Sequence, residues 1–133
     1  MPLEATYRAY IAALNAQDYG ALDRYVAEHV VYNGETLTRE QYTDQIRRSY
    51  AALEGLAYVI DQVVTSGDDV AARLVFDVVP VAPFFGVAPT GRRAVFAEHV
   101  FYRFQAGRIV AVSSLIDRAG YAEQLGASTL PPE

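Results

Sequence analysis

Three features of this 133-residue chain predict an α+β fold, with helices first and a curved antiparallel or mixed sheet wrapped around them. Apolar residues recur at helical spacing through Leu53. Beyond Leu56 the pattern changes to runs rich in β-branched and aromatic residues, separated by glycine turns. A long hairpin from Arg93 to Asp117 closes the series, and the other elements are arranged around it.

Leu3, Tyr7, Tyr10, Ile11 and Leu14 fall on one stripe and predict a first helix of about four turns. Asn15-Ala-Gln-Asp18 breaks it, and Asp18 is placed to cap a short second helix through Ala21, Leu22 and Tyr25, with His29 at an exposed helix end. Val30-Val-Tyr32 reads as a brief strand ending at the turn dipeptide Asn33-Gly34. Thr38-Arg-Glu-Gln41 has the form of a capping box and opens a third helix carrying Tyr42, Ile46, Tyr50 and Leu53 on one stripe. Strands follow over Leu56–Thr65 and Val70–Val79, joined by a turn at Ser66-Gly67-Asp68. Proline and glycine break up the segment from Pro80 to Gly91, yet it is too apolar for an idle loop; Phe84 and Phe85, read as exposed, suggest a lid or an interface. A last short helix runs through Tyr121 to Leu125. One domain over 1–126 and a frayed tail over 127–133 account for the chain.

Loop length decides which hairpin side chains share a face. A three-residue loop with Gly107 in the left-handed conformation sets His99 opposite Ser113 and Val95 opposite Asp117. His99, Phe101, Ser113 and Asp117 then share one face with the small residues Ala97 and Ala111. Phe96, Glu98, Val100 and Tyr102 occupy the other. A two- or four-residue loop sends His99 and Asp117 to opposite faces, because a one-residue slip inverts every side chain. Small residues beside titratable groups predict that the first face is concave and forms a pocket. The second, with Phe96, Val100, Tyr102, Val110, Val112 and Ile116, is then outward, too apolar for water, and predicts a homodimer to which Phe84 and Phe85 contribute.

Composition narrows the function. Net charge is −5 with no basic run, which argues against nucleic acid or an anionic membrane as the main partner. No apolar run approaches the ~20 residues of a membrane span, and the N-terminus lacks the pattern of a signal peptide. Absence of cysteine excludes disulfides and thiolate metal sites, and fits a cytoplasmic location. Ten Tyr and six Phe suit an apolar cavity with a few polar ends, or simply a core.

The order helix-helix-strand-helix, Tyr32-Asn33-Gly34 before Thr38-Arg-Glu40, Pro89-Thr90-Gly91, Glu98-His-Val-Phe-Tyr102, Gly107-Arg-Ile-Val110, Ile116-Asp117 and Gln124-Leu-Gly126 together resemble the SnoaL-like polyketide cyclases of the nuclear transport factor 2-like fold. That resemblance implies a cone with a deep apolar pocket, usually paired through the outer sheet face. It also implies intramolecular aldol chemistry on a small hydrophobic carbonyl substrate without metal or organic cofactor, an Asp serving as acid/base with help from a His. Asp117 matches the acid before the last helix and His99 the histidine of the preceding strand. Where many members carry Trp in the last strand, this chain has Ser113, which implies a wider pocket.

Each candidate has a plainer role as well. Asp117 also suits the N-cap of the last helix, and burial among Leu115, Val95 and Phe101 would raise its affinity for a proton. His99 lies roughly 13 Å along the strand from Asp117, too far for a dyad, so it would polarise an oxygen instead. Arg73, inside an apolar strand, either faces solvent or pairs with Asp61, Asp77 or Glu98. Such a pair opens a rival function, an epoxide hydrolase using two Asp and an Arg around a water. Tyr7, Tyr10, Tyr32 and Tyr50 offer hydroxyls to the cavity or pack in the core, and Phe101 and Ser113 complete the expected pocket wall. A non-catalytic binding or dimerisation module is the third possibility.

Overall fold

The computed structural model describes residues 2–126; the tail expected over 127–133 lies outside the described residues. Helix α1 (Leu3–Asn15) buries Tyr7, Tyr10, Ile11 and Leu14, the stripe set by its spacing. A 3-10 turn follows at Tyr19–Arg24, its first turn held by the Asp18 carboxylate, which accepts from the Ala21 amide. Strands β1 (Val26–Tyr32) and β2 (Glu35–Thr38) form a hairpin across Asn33-Gly34, whose φ values of 47° and 88° suit the mirror-image turn that matches strand twist. The sequence pattern contained β2 only as the run between that turn and the next helix. His29 falls within β1 and points to solvent rather than ending a helix. Helix α2 (Arg39–Ala52) starts on the expected capping box: Thr38 Oγ1 accepts from the Gln41 amide, and Gln41 Oε1 accepts from the Thr38 amide.

After a two-residue strand β3 (Leu53–Glu54) the chain runs through β4 (Val59–Ser66), β5 (Asp69–Pro80), β6 (Ala94–Gln105) and β7 (Arg108–Ile116) to helix α3 (Arg118–Gln124). The sheet order is β2-β1-β7-β6-β5-β3, with β4 also on β5. Every pairing is antiparallel except β1 with β7. The sheet curls without closing, and its inner face carries a single core shared with the helices. No helix among the described residues is long and apolar enough to cross a membrane.

The β6–β7 hairpin departs from expectation at its turn. Gln105 pairs with Arg108, so the loop is the two residues Ala106-Gly107, at φ 52° and 78°. A bulge at Val110 then restores the parity that a three-residue loop would have given, and His99 faces Leu115 while Phe101 faces Ser113. Apart from Ile109, expected beside Ala111 and Ser113 but turned inward next to Phe104 by the bulge, the side chains therefore sort into the expected two sets, but inside out. Val100, Tyr102, Phe104 and Val112 are buried against the helices, whereas His99 and Ser113 are exposed, Phe101 is 63% exposed and Leu115 73%. Apolar area decides this. The aromatic-rich face removes far more surface from water than one interrupted by Ala97, Ala111 and Ser113.

The loop before β6 is also turned inward. Phe84 and Val87 exchange backbone hydrogen bonds of 3.0 Å around a turn at Phe85-Gly86. The two Phe rings pack on each other and on Tyr121, so they belong to the cavity wall rather than to an exposed interface.

Candidate functional site

A cavity of about 460 Å³ opens between α2 and the inner face of the sheet. Its depths are set by Tyr10, Tyr42 and Tyr102, all nearly inaccessible. Phe76, Phe96 and Tyr58 form an apolar wall, and the exposed Arg48 and Arg118 stand at the mouth. Such a volume, mostly apolar with a few convergent polar groups, suits a small organic molecule.

Glu98 is the carboxylate among the described lining residues. It stands on β6 between Leu74 of β5 and Ile116 of β7, so its neighbours across the sheet are apolar. It is half-buried and lines the cavity. Burial pushes its pKa up, and a hydrogen bond from Ser114 Oγ to Oε2 offsets part of that rise by favouring the charged form. Ser114 is itself fixed by Asn33, whose amide accepts from the Ser114 N–H at 2.8 Å and donates to the Ser114 carbonyl at 3.3 Å. The turn that reverses β1 thus also holds the strand segment that supports the carboxylate.

Tyrosine hydroxyls surround Glu98. Those of Tyr10 and Tyr42 are 2.6 Å apart, and Tyr7 donates to Tyr102 at 3.5 Å. At the Tyr32 hydroxyl, burial and the charge of Glu98 raise the pKa, and neighbouring Ser114 works against that rise. Tyr58 lines the cavity as well, and the charge of Glu98 acts on its hydroxyl. Its backbone is gripped at two points by Asn15, which accepts from the Tyr58 N–H at 2.6 Å and donates to its carbonyl at 2.9 Å. Burial raises the pKa of all these phenols, with the charge of Glu98 adding to the rise at Tyr32, Tyr42, Tyr58 and Tyr102. They remain protonated, able to donate to an oxygen that gains negative charge.

The expected site residues are only partly brought together. Tyr10 and Tyr32 line the cavity, as expected. Tyr50 donates to the Leu14 carbonyl at 2.6 Å, its pKa pushed up to about 12 by burial, and is not among the lining residues. Arg73 belongs to the outer face and pairs with Asp61 at 2.7 Å, both half-exposed. His99, Phe101 and Ser113 are on that outer face too, for the reason of apolar area given above. Asp117 is exposed and caps α3, accepting from the Gly120 amide at 2.9 Å. The cap also explains Gly120, where a Cβ would come within 2.3 Å of the Asp117 carboxylate. Glu98 was missed as a site residue, although the signal was present: it shares strand parity with Phe96, Val100 and Tyr102, the bulkiest set in the hairpin.

The family model for the SnoaL-like polyketide cyclases matches residues 4–125. A SnoaL-like polyketide cyclase from Agrobacterium tumefaciens strain C58 is 33% identical, with 95% of this chain and 99% of that one covered and a TM-score of 0.90. TsrD from Streptomyces laurentii is 25% identical, covering 93% and 94% at a TM-score of 0.83. IdmH from Streptomyces antibioticus shares the fold at 24% identity, covering 96% and 100%, also with a TM-score of 0.83. None of the curated proteins compared with the chain matches it.

Proposed function

Since the chain belongs to the SnoaL-like polyketide cyclase family, we propose that it is an acid/base enzyme that forms a carbon–carbon bond within a small hydrophobic carbonyl compound, with Glu98 as the proton carrier. The observation that carries this reading is a carboxylate of raised pKa at the wall of an apolar cavity ringed by phenols. In the ionised state, Glu98 removes a proton from the carbon beside a carbonyl. The C–H electron pair becomes the enolate, whose charge gathers on oxygen. Tyr58, held protonated by burial at the cavity wall, donates to that oxygen. The enolate carbon then attacks a second carbonyl of the same molecule, and the new alkoxide takes back the proton from Glu98. The carboxylate is regenerated, and no atom is left over. Burial suits both halves: it makes the ionised form a stronger base and keeps the proton available for return.

The rival hydrolase chemistry loses its residues, because Arg73 and Asp61 pair on the other side of the sheet. A purely structural module is disfavoured by the cavity itself, whose lining places Glu98 among Tyr32, Tyr42 and Tyr58.

Proton abstraction is testable without the natural substrate. Deuterium exchange at the α-carbons of 2-tetralone in D₂O, followed by NMR, should be faster with the protein than without it. No acceleration would end the proposal. Ser114→Ala should then move the rising, low-pH limb of the exchange–pH profile to higher pH, because the hydrogen bond it removes favours ionised Glu98. An unmoved limb would disconnect Ser114 from the titrating group.

A second copy of the chain is proposed to cover the outer face. Phe101, Leu115, Val95, Val31 and Val64 leave an apolar surface there. The charges beside it are already paired within the chain, as Arg73–Asp61, Arg103–Asp69 and Arg93–Asp77. A two-fold contact sets a patch against itself, so a patch with balanced charges meets no repulsion. Light scattering at micromolar concentration should give a dimer, and Leu115→Arg a folded monomer. A monomeric parent protein would refute the pairing.

A further inference from the structure

We infer that the mouth of the cavity is an anion subsite, in which Arg48 and Arg118 hold a carboxylate carried by an otherwise apolar carbonyl substrate. The inference rests on the acid/base reading of the cavity and names the substrate class for it. The chain has eleven Arg and no Lys, against sixteen acidic residues. Acids are in surplus, and six of the Arg are ion-paired: 8, 39, 47, 73, 93 and 103. Arg108 donates to the Asp23 carbonyl. Among the described residues that leaves Arg24, Arg48, Arg92 and Arg118 without an acid, and two of these four line the cavity.

The two come from distant parts of the chain. Arg48 is on α2, beside the lining residues Gln45 and Ser49, and Arg118 opens α3. Arg118 lies 5.0 Å over the ring of Phe85, itself a wall residue, which fixes the guanidinium above the opening. Its charge is felt at the Tyr32 hydroxyl inside, where it counters the upward shift due to burial. A fork of N–H donors matches a carboxylate at two points, so it orients as well as attracts.

Depth supplies the second half of the argument. A carboxylate pushed inward would meet Glu98 and an apolar wall, an expensive place for a second negative charge. Left at the mouth, it stays partly hydrated and cationically paired while the apolar body fills the cavity. The carbonyl end is then delivered toward Glu98 and Tyr58. The polarity of the cavity thus runs one way, with cations outside and a proton acceptor inside.

The test uses 1-hydroxy-2-naphthoate and its methyl ester, titrated by naphthalene fluorescence, which is favoured by the absence of Trp. The acid should bind at least about tenfold more tightly than the ester, the difference shrinking with salt. Arg48→Gln/Arg118→Gln should abolish that preference, so that acid and ester bind alike. Glu98→Gln should keep the preference. Equal binding of acid and ester, a preference that survives the double variant, or no saturable binding of either probe would each overturn the subsite. The two proposals fail separately: loss of preference with exchange intact removes only the subsite, and preference with Glu98-independent exchange removes only the acid/base reading.

Discussion

Glu98→Gln should slow α-proton exchange by about 10² to 10⁴, the usual contribution of one positioned acid/base, while making the fold more stable at neutral pH. The amide keeps the shape and still accepts from Ser114 Oγ, but it cannot take a proton. Stability should move the other way because burial holds the Glu98 pKa above its unfolded value. A raised folded pKa means that the native state binds the proton more tightly. Stability is then full below the unfolded pKa and declines as pH climbs through the folded one. Glutamine removes that decline, so thermal melts of the variant should be flatter across this window and higher above it. Asp117→Asn is the contrasting variant. Asn caps helices about as well as Asp, and the Asp117 side chain is committed to Gly120 outside the cavity lining, so exchange should persist. Full exchange in folded Glu98→Gln would sink the mechanism, and its loss in Asp117→Asn would return the role to the last helix.

Local chemistry made much of the fold legible from the chain. The capping box at Thr38, the cap at Asp18 and the reversal at Asn33-Gly34 each act within a few residues, and each stands where the pattern set it. Even the sorting of the β6–β7 side chains into two sets survived a wrong loop length beyond the bulge at Val110, which restored the parity, and failed only at Ile109 between turn and bulge. Which set faces the helices is a different kind of fact. It depends on the whole sheet, through Val70, Ala72, Leu74 and Phe76 of β5, which bury on the side of Phe96 and Val100. The small residues Ala97, Ala111 and Ser113 suggested room for a ligand, but room is made by curvature and by the gap between α2 and the strands, not by short side chains. Choosing the bulkier set as the inner one would have brought Glu98 into the cavity and taken His99 out of it. Asn15 and Asn33 were legible only as turn residues. Their grip on Tyr58 and Ser114 spans 43 and 81 residues, and no local pattern carries that.

Adjacent positions on β6 give the sharpest test of this inversion, because Val100→Asp should prevent folding while Phe101→Asp should not. Val100 is 2% exposed, paired across the sheet with Ala72 and Ser114, and is not among the cavity-lining residues, so an aspartate there would find no water. The change forfeits roughly 1.5–3 kcal/mol of apolar burial and adds the cost of an unpaired charge, together enough to cancel much of the ~5–15 kcal/mol that holds a typical domain folded. Phe101, at 63% exposed, gives up little within its own chain, and a surface change of this kind usually stays within about 0.5 kcal/mol. Its effect should appear between chains instead: two like charges brought together across a two-fold contact would separate the proposed dimer. Circular dichroism and thermal melts read the first outcome, and light scattering the second. A cooperative, parent-like melt from Val100→Asp, with Phe101→Asp unfolded, would mean that the hairpin presents its other face to the helices and that His99, Ser113 and Asp117 line the cavity after all.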